Sequence, residues 1–320
     1  MRSEPFAPAT TSIGNHVGVT TTVTVFGSCN MDLVAYVGTA PKRGETVAGR
    51  EFRTVQGGKG ANQAIAAART GAAVHLLGAV GSDDLGAQLR ASLEGFGVRT
   101  DGLRIEPGAS GTAHIVVDDA GGNSIVIVPG ANGTLDGLRP EDERIIAESQ
   151  ILLLQLEIPF RGVELAAAAA KRHGVPVVLT PAPAAELPES ILSNVDLLVP
   201  NEHEAAVLTG HSEPRRAITA LLELVPEVVI TMGSRGSLYG NRSGEMLEIP
   251  SYPVKAVDTT AAGDTFAGVL SVLRVEGSEM SESLEVASAA SALSVQRNGA
   301  SSSMPTRQEI IDFRSGRAGD

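Results

Sequence analysis

From residue 72 onward the chain alternates apolar, strand-like runs with helical segments, several of which end at glycine. This rhythm restricts the fold more than any other feature. AAVHLLGAV reads as a strand and DDLGAQLRASLEGFG as the helix that follows it. ILLLQLE, GVELAAAAAKRHG and VPVVLTPAP repeat the pattern; VDLLVPN, a helix and EVVITMGSRG continue it. An unbroken apolar run such as ILLLQLE suits a strand covered on both faces. Strands separated by helices of about 10–15 residues form right-handed βαβ units. The spacing therefore predicts an α/β fold with a doubly wound, mostly parallel central sheet flanked by helices. VTVTVFG supplies the first core strand, and GANQAIAAARTG a helix stopped by Gly71.

Two stretches break the rhythm, at about 32–56 and 103–129. Both alternate polar and apolar residues and are rich in turns, as antiparallel strands are. They predict a small β lid on the main domain. Residues 1–21, rich in Thr, Pro, Ala and Gly, read as a flexible N-terminal tail, which leaves one domain over 22–320.

Composition narrows the function. A hydrophobic content of 42% sustains a large core, and 36 glycines allow many tight turns and close backbone approaches. The formal net charge of −12, with no clustered Lys/Arg stripe, argues against nucleic acid as a partner. No apolar run approaches the roughly 20 residues of a membrane span, and Met1 to Thr22 lacks a signal-peptide core. A single cysteine, Cys29, gives no disulfide framework and fits a reducing cytoplasm. It is expected to pack inward. The sequons at Asn132 and Asn241 then read as coincidental.

Five motifs carry possible chemistry. In AVDTTAAGDTFAGVL, the small residues Ala261, Ala262 and Gly263 precede a helical segment. A loop placed there aims several backbone N–H groups and the helix dipole at one spot, which suits a phosphoryl group in flight. Asp264 at its mouth can take a proton from an attacking hydroxyl. In GGKGANQA, glycines admit close backbone approach and Asn62 offers a donor and an acceptor to hydroxyls. It is not a P-loop, since no Ser or Thr follows Lys59. In GSCNMD, Asn30 and Asp32 lie two apart and share a strand face, suited to vicinal hydroxyls. In PNEHEA, Asn201 and Glu204 are three apart, which predicts one helix face that orients Mg²⁺ through water beside a nucleotide phosphate. His203 reads as a solvated residue. TMGSRG can wrap a triphosphate with Thr231 and Gly233. Alone, each fragment reads equally well as a cap or a turn; together, and in this order, they point to a ligand site.

These segments, with LLLQLE and TPAPA, resemble the ribokinase family of PfkB-type carbohydrate kinases over nearly all of residues 22–313. The resemblance implies a ribokinase-like kinase domain with a lid, transferring the γ-phosphoryl of ATP to O5 of a sugar such as D-ribose. It implies sugar binding by Asn30, Met31, Asp32, Gly58, Lys59, Gly60, Ala61, Asn62 and Glu157, with Asp264 as the base. The backbone of Ala261, Ala262, Gly263 and Asp264 becomes the anion hole. Asn201, Thr231, Met232, Gly233, Ser234, Arg235, Gly236 and Ser288 would lie along ATP, as would Gly263 and Asp264. Glu204 would help place Mg²⁺. A potassium ion would sit among Asp258, Thr260, Ser294, Arg297, Gly299 and Ser303. The resemblance, with an apolar lid face, also implies a cytoplasmic homodimer paired through the lid. Ser288 departs from the pattern, since the family often has a histidine beside adenine there, and the tail is longer than usual.

Rival readings remain at this stage. One is a sister kinase acting on deoxyribose, fructose, a ketodeoxy sugar acid or a nucleoside; another is a non-catalytic sugar-binding regulator. A dinucleotide-dependent oxidoreductase is disfavoured, because no G-x-G-x-x-G follows the first strand.

Overall fold

The computed structural model describes residues 21–316. The expected tail lies outside the described residues, apart from its last member. The chain enters through β1 (Thr22–Phe26), leaves the main sheet as β2 (Asn30–Val37) and β3 (Gly49–Gly57), and returns as α1 (Lys59–Arg69) and β4 (Ala73–Gly81). After α2 (Asp84–Gly95) come β5 (Val98–Arg99), β6 (Leu103–Glu106) and the hairpin β7 (Gly111–Val117) and β8 (Asn123–Val128). Then follow α3 (Pro140–Ala147), β9 (Ile151–Leu154), α4 (Phe160–Arg172), β10 (Val177–Leu179), the short α5 (Glu189–Leu192) and β11 (Leu197–Leu198). Helices α6 (Glu202–Thr209) and α7 (Pro214–Leu224) lead to β12 (Glu227–Thr231), β13 (Ser237–Asn241) and β14 (Met246–Ile249). Three helices finish the described chain: α8 (Ala262–Val275), α9 (Met280–Ser294) and α10 (Arg307–Arg314).

The main sheet has the order β14-β13-β12-β11-β10-β9-β1-β4-β5, with β6 also paired to β4. It is parallel from β12 to β6, and antiparallel only where β13 and β14 hairpin onto the edge. Strand alternation sends Val23, Val25 and Leu153 to one face, under α1, α8 and α9, and Phe26, Leu152 and Leu154 to the other, under α3, α4 and α7. Both faces are dry, which is why ILLL is apolar at every position. Truncating Leu154 to alanine would cost about 2–5 kcal/mol.

The lid is a second sheet of order β3-β2-β7-β8. Its two outer pairs are antiparallel, as expected, while β2 and β7 run parallel in the middle because β7 arrives by a long crossover. The boundary drawn at 103–129 is too wide: Leu103–Glu106 pairs with β4 in the main sheet, and the lid begins at Gly111. Leu103 is buried in the main core, so its polar neighbours misled the periodicity. Among the described residues, no helix is long and apolar enough to cross a membrane.

Candidate active site

The site forms where β1, β9 and β10 end and α1 and α8 begin. Beyond β1, the Ser28 hydroxyl donates to Glu157 Oε2 at 2.6 Å, and the Lys59 backbone N–H donates to the same oxygen at 2.9 Å. Asn30 Nδ2 approaches it at 3.5 Å. Glu157 thus ties the start of α1 to the start of β2. This needs backbones in contact: a Cβ on Gly58 would come within 2.7 Å of the Asn30 nitrogen, and one on Gly60 within 2.5 Å of the Ser28 nitrogen. At φ 90°, Gly58 also occupies a conformation open to glycine alone at little cost.

Asp264 stands on the first turn of α8, 6% exposed. Asn62 Nδ2 donates to its Oδ2 at 3.2 Å and Gln63 Nε2 to its Oδ1 at 3.1 Å. Burial pushes its carboxyl above the ordinary range, opposed by Lys59 and by the two amides. Asn62 Oδ1 is buried with no partner, so this acceptor is available to a hydroxyl donor. Asp32 is pushed up to about 7 by burial and by the negative charges of Glu157 and Asp264, against the pull of Lys59. For Lys59 itself burial disfavours the charge, but Asp264, Glu157, Glu204 and Asp32 outweigh it and hold the ammonium protonated.

A cleft of about 200 Å³ opens beside Asp264. Ala261, Ala262 and Gly263 form one wall; Lys59, Thr180, Asn201, Glu204 and Thr231 supply polar groups around it. Ala261 is the N-cap of α8 with φ 58°, the one left-handed non-glycine among the described residues. The turn at 259–261 brings the start of α8 to the cleft; the Ala262 N–H donates to the Thr259 carbonyl at 3.3 Å, and the N–H groups that follow it sit in a setting that suits phosphoryl oxygens. Ser291 of α9 anchors it from behind, donating to the Ala262 carbonyl at 2.9 Å.

One expectation needs correction. Asn201 and Glu204 do not project from one helix face. Asn201 is the N-cap of α6 and accepts from the Glu204 N–H at 2.8 Å; Glu204 accepts from the Asn201 backbone and side chain at 2.8 Å each. This is a capping box, although both residues still line the cleft. Met31 and Met232 are buried among core side chains, and Met232 also lines a second cavity with Arg235 and Leu238. Ala61 is likewise core. Gly233, Ser234, Arg235 and Gly236 make the turn between β12 and β13, and Arg235 pairs at the surface with Glu202 rather than reaching into the cleft. Ser288 is buried on α9, one helical turn before Ser291.

Asp258 accepts the backbone N–H of Thr260 and of Gly299, each at 2.9 Å, and the Val295 carbonyl accepts those of Val257 and Asp258. This lacing brings the turn before α8 against the chain after α9, where Ser294 and Arg297 lie, with Ser303 buried just beyond. Sequence reading passed over five polar contributors. Ser28, Gln63, Gln155 and Thr180 lie inside the motifs with no local sign of a role, and Asn132 reads locally as a chance sequon. It is buried and pairs with Cys29 and Asn30; only the lid crossover, invisible locally, brings it there.

A carboxylate buried beside amide-rich helix starts, between a polar pocket and a cleft suited to phosphates, fits phosphoryl transfer to an alcohol. The sequence matches the family model "pfkB family carbohydrate kinase" over residues 20–307. The chain belongs to this family. It is 43% identical to the ribokinase of Bacillus subtilis (strain 168), over 92% of this chain and 99% of that protein, and 42% identical to that of Haemophilus influenzae, over 91% and 98%. A deoxyribokinase of Salmonella typhi is 36% identical over 92% and 98%. The structure of Arabidopsis thaliana ribokinase complexed with ribose and ATP superposes with a TM-score of 0.88, at 34% identity over 92% of this chain and 99% of that one.

Proposed function

We propose that this chain phosphorylates D-ribose at O5 with ATP, giving ribose 5-phosphate. The observation that carries the reading is the position of Asp264, whose carboxylate joins the polar pocket of Asn30, Asp32, Asn62 and Glu157 to the cleft under Ala261–Gly263. The ribokinase relatives and the ribose-and-ATP complex of a related chain support the choice of sugar.

In this reading, Asn62 and the carboxylates of Asp32 and Glu157 hold the sugar hydroxyls and aim O5 at the γ-phosphorus. Asp264 takes the O5 proton as the new P–O bond forms and the bond to the β-phosphate oxygen breaks. The N–H groups at 261–264 and the Lys59 ammonium meet the charge spread over the transferring group. Most of the acceleration is positioning and electrostatics. Asn201, Thr231 and the 233–236 turn follow the rest of ATP, with Ser288 towards the base.

Mg²⁺ enters with ATP. The described residues hold no group of three or more His, Cys, Asp or Glu side chains placed for a metal, so phosphate and water supply most ligands. Glu204, whose oxygens keep lone pairs beyond the capping box, reaches it through water. The oxygen-rich turn around Asp258, Thr260, Ser294, Arg297, Gly299 and Ser303 fits K⁺, which favours carbonyl and carboxylate oxygens; an ion there would brace the anion-hole loop. β8 ends the lid sheet with an unpaired edge, and Ile125, Val126, Ile127 and Val128 are 52%, 64%, 42% and 46% exposed. A second copy pairing lid to lid covers them. The single buried thiol suits the cytoplasm.

A coupled ADP-release assay across ribose, deoxyribose, fructose and a nucleoside, with and without potassium, tests the reading. Ribose should give the highest kcat/KM, with potassium raising it, and the product phosphorus should couple to the C5 protons. A preference for a nucleoside, or phosphate on another carbon, would refute it. Sedimentation as a monomer would remove the dimer.

A further inference from the structure

Gln63 and Gln155 are each 1% exposed. Gln63 lies on α1 and Gln155 directly follows β9. Gln63 Nε2 donates to Asp264 Oδ1 at 3.1 Å and to the Thr180 hydroxyl at 3.2 Å. Gln155 Nε2 donates to Gln63 Oε1 at 2.6 Å.

The directions of these bonds follow from one another. A carboxylate only accepts, so Asp264 requires the amino end of Gln63 to face it. That turns the Gln63 carbonyl towards Gln155, which must then present its own amino end. Gln155 Oε1 is left buried and unpartnered, facing Gly27, where a Cβ would lie within 2.1 Å of it. An orphaned buried carbonyl is costly. Flipping the Gln155 amide would set two carbonyls against each other. Flipping Gln63 as well would turn an oxygen on Asp264. The cost at the Gly27 end is therefore imposed from the Asp264 end.

We propose that Gln155 and Gln63 form a directional amide relay that aims the Asp264 carboxylate at the acceptor hydroxyl, with Gln63 the positioning residue and Gln155 its anchor. The proposal rests on the reading of Asp264 as the base. Four other charged groups face that carboxylate: Lys59 from α1, Glu157 beyond β9, Asp32 from β2 and Glu204 from α6. Lys59 is the one cation of the four. Gln63 and Asn62 therefore supply donors the local charge does not, and without Gln63 the anion is harder to form.

The test is the pH dependence of kcat for the full-length protein with its preferred sugar, comparing the parent with Gln63→Met, Gln155→Met and Asp264→Asn. In Gln63→Met, kcat should fall about tenfold, as for loss of one hydrogen bond to a charged group, while the sugar KM stays near the parent's. The acidic limb of the kcat profile should move up by about one pH unit. Gln155→Met should move it the same way by less, and carries the test alone if Gln63→Met does not fold. An unmoved limb in the folded variants, with Asp264→Asn inactive, would overturn the relay and leave the base in place. Parent-like turnover in Asp264→Asn would remove the base, and the relay with it.

Discussion

Asn132 donates a side-chain N–H to Asn30 Oδ1 at 2.8 Å, bridging 102 residues of sequence. The same amide closes on both backbone groups of Cys29, accepting from its N–H at 2.9 Å and donating to its carbonyl at 3.0 Å. Asn132 thereby decides that Asn30 turns its amino end, and not its carbonyl, towards Glu157 and the pocket.

Replacing Asn132 with alanine should raise the sugar KM about tenfold, the effect of roughly one hydrogen bond, and change kcat less. It should also lower stability by about 1–3 kcal/mol, because the Cys29 N–H and carbonyl lose their buried partner. Steady-state kinetics and a denaturant melt measure the two effects. An unchanged KM beside a lowered stability would make Asn132 a scaffold residue with no influence on Asn30.

Asp32 provides a pH signature. Its carboxyl is pushed up to about 7, so the sugar-free protein retains this proton well above the unfolded value of 3.8. Stability contributed by the protonated form is fully present below about pH 4 and is lost as pH rises through about 7. Sugar hydroxyls donating to Asp32 favour its anion, so binding below pH 7 should release a proton and affinity should rise with pH. Titration calorimetry at pH 6.5 in two buffers of different ionisation enthalpy reads the release. Equal heats would mean that no proton is released and contradict the assignment, and a release that persists in Asp32→Asn would assign the proton to another group.

Ala261 bears strain of order 1 kcal/mol by standing at φ 58° with a Cβ. Ala261→Gly removes it at some entropic cost to the unfolded gain. The variant should melt slightly higher than the parent, by about 1–2 °C, with the anion hole intact. A clear loss of stability would show that the Ala261 methyl packs usefully in the native state.

The parallel sheet was legible because its strands are dry on both faces, and ILLL cannot be read as a half-exposed strand. The glycine motifs were legible because backbone crowding between Gly58, Gly60 and Ser28 leaves no room for side chains. Leu103–Glu106 was misassigned because one buried leucine among polar residues does not distinguish a main-sheet edge from a lid. For Asn201 and Glu204 the sequence holds the answer, since Asn-x-x-Glu before a helix is a capping-box signature, a stronger signal than spacing alone. Asn132 and the Gln63–Gln155 pair were beyond reach, because partners 102 and 92 residues apart meet only through tertiary structure.

The turnover of Asp264→Asn with ribose and MgATP probes the centre of this account. Asparagine keeps the shape and the burial but cannot take the O5 proton, so kcat should fall by about 10²–10⁴ while ribose still protects the fold against melting. Turnover near the parent's, in a variant that binds ribose normally, would contradict the account.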